Sequence, residues 1–331
     1  MAERLHFPSS FTFLLPCHSN MRTLVCGSLA YDTIMVFPDR FARHILPEQL
    51  RVLSVSFQIG EMRREWGGCA GNIAYNLLGI GGAPVVMATI GDDGDDYRER
   101  LAALGVGDDA VRHVPGAYTA QAFIITDLDD NQITAFHPGA MNFSHQNRVG
   151  DVEDISLGIV APDGKEGMST HVEQFAQAGI PFMFDPGQAM PLFSGPELLA
   201  MIDKARCVAV NDYEGQLLAE RTGLSIAALA ERVEALIVTL GADGSVIHSG
   251  GVTYAVPAAR PATVLDPTGC GDAYRAGILY GMSQDWDWEK TGGLASVMGS
   301  LKIASRGGQN HVVNRETVGA LYFKTFGSHV F

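Results

Sequence analysis

The sequence predicts a doubly wound α/β domain, a mainly parallel sheet flanked by helices, carrying a small β-sheet lid. Three observations lead there. Short apolar runs of strand length alternate with helical patterns along most of the chain, which means βαβ units and a parallel sheet. Two separated segments, 33–57 and 118–137, break that alternation with β-branched and aromatic residues at period two. A chain of 331 residues, 47% hydrophobic and 18% charged, can bury one large core and still support an appendage.

Taken in order, residues 1–20 read as a disordered extension ahead of Met21; their "FTFLLP" is too short for a secretory apolar region and lacks a basic start. "TLVCGSLAYDTIMVF" (23–37) is a buried strand, a break at Gly27-Ser28 and an alternating strand. "GGCAGNIAYNLLGIGG" (67–82) is a glycine turn running into an amphipathic helix. A buried strand at 84–91 and a helix at 95–106 follow, and "DLDDNQ" (127–132) folds the second period-two segment back as a hairpin. Apolar strands recur at 157–161, 181–185, 207–211 and 235–240, with helical segments between most of them. Ala262 to Leu265 reads as one more short buried strand, before a helix whose apolar spacing stops at Gly281. This assigns 21–32, 61–117 and 138–331 to the large domain and 33–60 and 118–137 to the lid.

Composition narrows the function. A net charge of −14 with no offsetting Lys/Arg cluster argues against nucleic acid or an anionic membrane as partner. No apolar run reaches the ~18 residues of a membrane span. The five cysteines are scattered without a C-x-x-C pair, which suits a reducing cytoplasm. His137 and His145 lack metal spacing with any cysteine or carboxylate pair, so no zinc site is expected, and "GDDGDD" (91–96) reads as turn plus cap.

The chemistry concentrates in "DPTGCGD" (266–272), a glycine-rich turn at a helix start. A helix start presents unpaired N–H groups and partial positive charge, so anions collect there, and glycines let the backbone approach closely. It is neither a Walker loop, since the only Gly-Lys pair is Gly164-Lys165 followed by Glu166, nor a dinucleotide fingerprint, since Tyr274 stands where the third glycine would be. Asp272 either complements the helix dipole or acts as a base toward a hydroxyl attacking a phosphoryl group. Asn72, after its glycines, caps a tightly packed helix or grips sugar hydroxyls, and Asp32, after a strand–glycine break, is a solvated turn aspartate or an acceptor for a vicinal diol. Asn211 and Glu214 have the spacing of a capping box, and "VTLGADG" (238–244) is a hairpin or a glycine turn against phosphates.

Together and in this order, these motifs resemble the ribokinase/PfkB family of sugar and nucleoside kinases: Gly27-Ser28 with Asp32, Gly67-Gly68 with Asn72, Asn211 with Glu214, Thr239 with Gly241, and Asp266 through Asp272. The likeness spans nearly the whole chain from Met21. It implies a ribokinase-like fold, Asp272 as catalytic base, and an anion hole from the amides of Gly269, Cys270 and Gly271. It also implies Asp32, Gly67, Gly68 and Asn72 around the substrate hydroxyls, and Asn211, Thr239, Gly241 and Gly244 around ATP. Glu214 would act on Mg²⁺ through water, and Asp266 and Thr268 match positions for a monovalent cation, K⁺ being the candidate. Ala30 stands where sugar-specific ribokinases usually carry Asn, while "MRREWGGCAGN" and "ITAFHPGAM" are similar to bacterial nucleoside kinases of the adenosine-kinase type. The resemblance therefore implies transfer of the γ-phosphoryl group of ATP to the 5′-hydroxyl of adenosine or a related nucleoside. A ribokinase or fructokinase is the alternative, and a catalytically silent binding protein a third. The lid's alternation predicts one face over the substrate and an apolar face, with Val36, Leu53 and Ile124, turned outward into a symmetric dimer.

Overall fold

In the computed structural model the described residues are 22–45, 55–129 and 131–331; the expected extension over 1–20 and Leu53 lie outside them. Buried Thr23 to Cys26 make β1 (Arg22–Cys26) an interior strand of the large sheet. The chain breaks at Gly27 and Ser28 and resumes as β2 (Ala30–Val36), which belongs to a second, smaller sheet. β3 (Glu61–Gly67) pairs antiparallel with β2. α1 (Cys69–Gly79), β4 (Ala83–Ile90), α2 (Asp95–Leu104) and β5 (Val111–His113) return the chain to the large sheet. β6 (Ala120–Thr126) and β7 (Gln132–His137) complete the small sheet in the order β3-β2-β6-β7.

The second half builds outward from β1 on its other side. β8 (Ile155–Val160), α3 (Lys165–Ala178), β9 (Phe182–Phe184), α4 (Gly195–Ile202), β10 (Cys207–Asn211), α5 (Asp212–Thr222), α6 (Ile226–Ala230) and β11 (Ala235–Thr239) alternate as the sequence predicts. An antiparallel pair, β12 (Ser245–Ser249) and β13 (Val252–Val256), closes the edge. The resulting order is β13-β12-β11-β10-β9-β8-β1-β4-β5, so the winding reverses between β1 and β8. In open α/β sheets the crevice at that switch, beyond the carboxyl ends of the strands, is where ligands bind. Three helices follow, α7 (Cys270–Ser283), α8 (Trp288–Ile303) and α9 (Arg315–Phe326). One apolar cluster packs α1, α7 and α8 on one face of the sheet, and a second packs α3, α4 and α5 on the other. Among the described residues no helix is long and apolar enough to cross a membrane.

Four expectations change. Residues 61–67, assigned to the large domain, are a strand of the small sheet, because their pairing with β2 runs without interruption from Gly67 opposite Ala30 to Glu61 opposite Val36. Val36 and Ile124 do not face outward: the register puts them on the same face as Asp32, and Met35, Met62, Phe123, Ile125 and Ile133 take the opposite face. Ala262 to Leu265 is not a strand; Val264 and Leu265 are exposed, and the amides of Leu265 and Asp266 donate to the Ile303 carbonyl at the end of α8. Gly281 does not stop its helix, which runs on to Ser283 with every residue from Ala273 buried.

The two glycines in that helix have a packing reason. A Cβ on Gly277 would lie 2.5 Å from the Cα of Ala295, and one on Gly281 would collide with Thr291, so α7 and α8 meet nearly backbone to backbone. Gly277→Ala gains ~1 kcal/mol of helix propensity but overpacks the contact at ~1–3 kcal/mol. We expect net destabilisation, read as a lower urea midpoint; an unchanged or higher midpoint would show that the two helices can part freely.

Candidate active site

α7 starts at Gly269, which caps it from the left-handed region at φ 78°, a conformation that costs glycine least. The Cys270 amide donates back to the Pro267 carbonyl at 3.1 Å, while the amides of Gly271 and Asp272 find no acceptor among the described residues. Of the three amides expected to form an anion hole, that of Cys270 closes the turn, whereas that of Gly269, like that of Gly271, finds no acceptor among the described residues. Asp266 holds the turn from behind, accepting from the Thr268 amide at 2.9 Å and the Gly307 amide at 2.8 Å.

Across the turn stand the residues expected around substrate hydroxyls. Asp32 lies within β2, and Gly67 opposite Ala30 has no side chain because a Cβ there would come within 2.5 Å of the Asp32 carboxylate. Gly68, at φ 84°, starts α1 hard against the Ser28 carbonyl and the Ala30 amide. The first amides of α1 are already taken, Cys69 by the Ser28 hydroxyl at 3.2 Å and Ala70 by the Ser28 carbonyl at 3.0 Å. Asn72 is buried and its amide is engaged at both ends: it donates to Asp272 Oδ2 at 2.9 Å and accepts from Gln309 at 3.3 Å. Gln309 also donates to the Tyr97 hydroxyl at 2.8 Å, which in turn donates to the Gly67 carbonyl at 2.7 Å.

On the other side of Asp272, a cleft of about 420 Å³ is lined by Asn211, Glu214, Thr239, Gly241, Gly269, Gly271 and Asp272, with Asp185 and Arg275 beside them. Asn211 and Thr239 are register partners at the carboxyl ends of β10 and β11. Asn211 and Glu214 form the capping box in full, at 2.7 and 2.8 Å. Gly244 does not line the cleft; it closes the β11–β12 turn against the backbone of Val256 and Ala258. Asp185 and Arg275 were not anticipated. Arg275 sits one turn after Asp272, fully enclosed, donating to Asp185 at 3.0 and 3.4 Å and to the Ala209 carbonyl at 3.3 Å, with Glu214 3.9 Å away. An aspartate closing the apolar run "PFMFD" at a strand's carboxyl end was the available signal for Asp185.

Carboxylates crowd this floor. Burial, then the charges of Asp272, Asp266 and Glu65, push Asp32 up to about 6. Burial also pushes Asp272 up to about 6, against the hydrogen bond from Asn72 that favours its charged form. Glu214 is raised, again chiefly by burial. Among the described residues no three His, Cys, Asp or Glu side chains converge to hold a metal. One Glu214 oxygen is committed to the Asn211 amide, so the donor set suits a cation that arrives with its ligand and keeps its own waters.

Residues 29–315 match the family described as pfkB family carbohydrate kinase. The chain is 29% identical over 261 residues to a nucleoside kinase of Methanocaldococcus jannaschii, covering 78% of this chain and 86% of that protein. It superposes with a TM-score of 0.85 on the structure of Burkholderia thailandensis nucleoside kinase in complex with inosine, at 50% identity over 93% of this chain and 99% of that one. The same enzyme in complex with ADP-inosine gives a TM-score of 0.83 at 51% identity, over 93% and 97% of the two chains.

A carboxyl whose folded value lies above its unfolded value of about 4 favours the fold when protonated. That contribution is complete below pH 4 and is lost as pH rises through about 6 for both Asp32 and Asp272. We expect Asp32→Asn and Asp272→Asn to melt at or above the parent temperature at pH 8, with the gap closing toward pH 4. Lower melting of both variants at pH 8 would mean the carboxylates stabilise the fold instead.

Proposed function

The chain belongs to the pfkB carbohydrate kinase family, and from that premise we propose that it transfers the γ-phosphoryl group of ATP to the 5′-hydroxyl of a purine nucleoside, adenosine or inosine. The observation that carries the reading is one carboxylate, Asp272, lying between the cleft lined by Asn211, Thr239 and Gly241 and a second carboxylate, Asp32, suited to a ribose diol. The similarity to a nucleoside kinase whose complexes hold inosine and ADP-inosine supports the same assignment.

In this reading the 5′-oxygen attacks the γ-phosphorus, the bond from that phosphorus to the β,γ-bridging oxygen breaks, and ADP leaves. Asp272 takes the hydroxyl proton. The transition state is loose, so alignment and charge stabilisation dominate. The open amides of Gly271 and Asp272 point donors at the charge on the transferred group. Asn72 keeps the base oriented rather than holding sugar, since its amide already bridges Asp272 and Gln309. Asp32 accepts from the 2′- and 3′-hydroxyls, and the face it shares with Ala122, Ile124 and exposed Phe136 receives the base. Mg²⁺ bound to the nucleotide would neutralise phosphate charge, with Glu214 accepting hydrogen bonds from its waters.

Assay of adenosine, inosine, ribose and fructose with Mg-ATP tests the substrate class. We expect nucleosides to turn over and the free sugars to be poor; faster turnover of ribose or fructose would make the chain a sugar kinase. Asp272→Asn should lower turnover by roughly 10²-fold or more with nucleoside affinity little changed. The acid limb of kcat/KM should fall near pH 6, where both carboxylates protonate. Near-parental turnover of the variant would reduce Asp272 to a helix-dipole residue.

The small sheet carries the second part of the proposal, a homodimer. Its outer face leaves Met62 72%, Phe123 40% and Ile133 39% exposed, next to Met35 and Ile125. An apolar sheet face in water is a docking surface, and two copies face to face would cover it. Light scattering at micromolar concentration should give a dimer mass, and Phe123→Glu should return it to the monomer. A monomeric parent would remove the dimer.

A further inference from the structure

Lys302, at the end of α8, has no exposed surface, which lysine tolerates only when its charge is partnered. Its ammonium donates to two backbone carbonyls, Asp266 at 2.9 Å and Ser305 at 3.0 Å. These belong to the two loops that meet behind the turn at 266–272. The loops are joined a second time by Asp266, whose carboxylate accepts from the amides of Thr268 and Gly307. The lysine stem passes under Gly269, where an added Cβ would lie 3.7 Å from Lys302 Cε. A lysine that only complemented its helix's C-terminal dipole would keep its head in water. This one turns inward and closes a cage of carbonyls.

The sequence led us to expect a monovalent cation at Asp266 and Thr268, and the residues present do not fit one. The carbonyl cage beside Asp266 already holds a unit positive charge. We propose that the Lys302 ammonium is a built-in replacement for that cation: it ties the 266–272 turn to the 303–308 loop and places a fixed positive charge behind the anion-binding amides. Nucleotide binding and turnover are then indifferent to K⁺. Lys302 acts as a positioning residue, since it contacts the turn and not the ligand. The inference rests on the phosphoryl-transfer reading only through the anion site, so ADP binding tests it without any acceptor.

The experiment is calorimetric titration of ADP into the full chain, in KCl, NH₄Cl or tetramethylammonium chloride at equal ionic strength, with thermal melts and acceptor-saturated turnover alongside. For the parent we expect affinity, melting temperature and turnover to agree across the three salts. Weaker ADP binding in tetramethylammonium than in K⁺ would overturn the proposal without any variant. For Lys302→Ala we expect affinity to fall about tenfold or more in tetramethylammonium, a loss of at least ~1.4 kcal/mol. Affinity should recover in K⁺ or NH₄⁺, which can enter the emptied cage. Lys302→Met keeps the stem and fills the space, so it should lose affinity without recovering. Equal impairment of Lys302→Ala in all three salts, or no impairment, would show that the side chain only packs. If Lys302→Ala does not fold in tetramethylammonium, melts in K⁺ and NH₄⁺ decide: folding restored by the small cations supports the proposal, and no restoration overturns it. Failure of the nucleoside assays with salt-indifferent ADP binding would overturn the substrate reading and leave this one standing.

Discussion

α7 is buried along almost its whole length, and that burial fixes where its N-terminus points. The helix lies against α8 with glycines at the contact and against α1 on another side, so it has little freedom to slide or tilt. Its first turn carries the two open amides, the Gly269 cap and Asp272, and one turn further the enclosed Arg275. Everything else in the site is positioned relative to that end. Asn72 reaches it from α1, Asp185 and Asn211 from the ends of β9 and β10, and Asp266 from the preceding loop. A preorganised donor set is worth most when it need not rearrange as charge develops, and a helix held on several sides meets that requirement.

The same floor gathers an excess of acid. Asp32 feels the charges of Asp272 and Asp266, and Asp272 and Glu214 each feel that of Asp185, with two enclosed cations, Arg275 and Lys302, nearby. The cations divide the work. Arg275 pairs with Asp185 and approaches Glu214 beside the cleft, and Lys302 holds carbonyls behind the turn. Neither pairs directly with Asp32 or Asp272, whose proton affinities are raised chiefly by burial. A carboxylate left this way is a liability for the fold and an asset for chemistry, because its pKa moves toward the working pH.

How much of this could be read from the chain depends on whether the signal was local. The run from Asp266 to Asp272 is legible as a glycine turn opening a helix because turn, glycines and helix start are contiguous, and the capping box of Asn211 and Glu214 forms atom for atom as its spacing implies. The parallel strands β8 to β11 and the helices between them were equally legible, since those strands are buried along nearly their whole length. Arg275 and Asp185 are 90 residues apart, and Asn72 and Gln309 are 237 apart, so no pattern within either segment announces the contact. Lys302 looks like an ordinary helix-terminal cation until its burial is known. β3 was missed because "EMRREWG" has the charge of a surface segment; its partner strand, not its own hydrophobicity, makes it a strand. Val264 and Leu265 misled in the opposite sense, apolar by sequence yet exposed in a loop.

The link between the two halves of the site follows from one chain of hydrogen bonds. Asp272 accepts from Asn72, Asn72 from Gln309, and Gln309 donates on to Tyr97, whose hydroxyl holds the Gly67 carbonyl at the end of β3. Gly67 in turn abuts the Asp32 carboxylate with no side chain between. On the opposite face of the small sheet Tyr31 and Trp66 pack on Tyr97, with Arg64 stacked 3.4 Å over the Tyr31 ring. The root of the small sheet is therefore held at Tyr97, by its hydroxyl on the Gly67 carbonyl and by its ring against Tyr31 and Trp66, while the far strand β7 is exposed along its whole length. The contacts that tie the sheet to the large domain are thus gathered at its root, beside Asp32. Asp32 and Asp272 are in this way linked through the backbone and the polar chain at the root rather than through the outer strands.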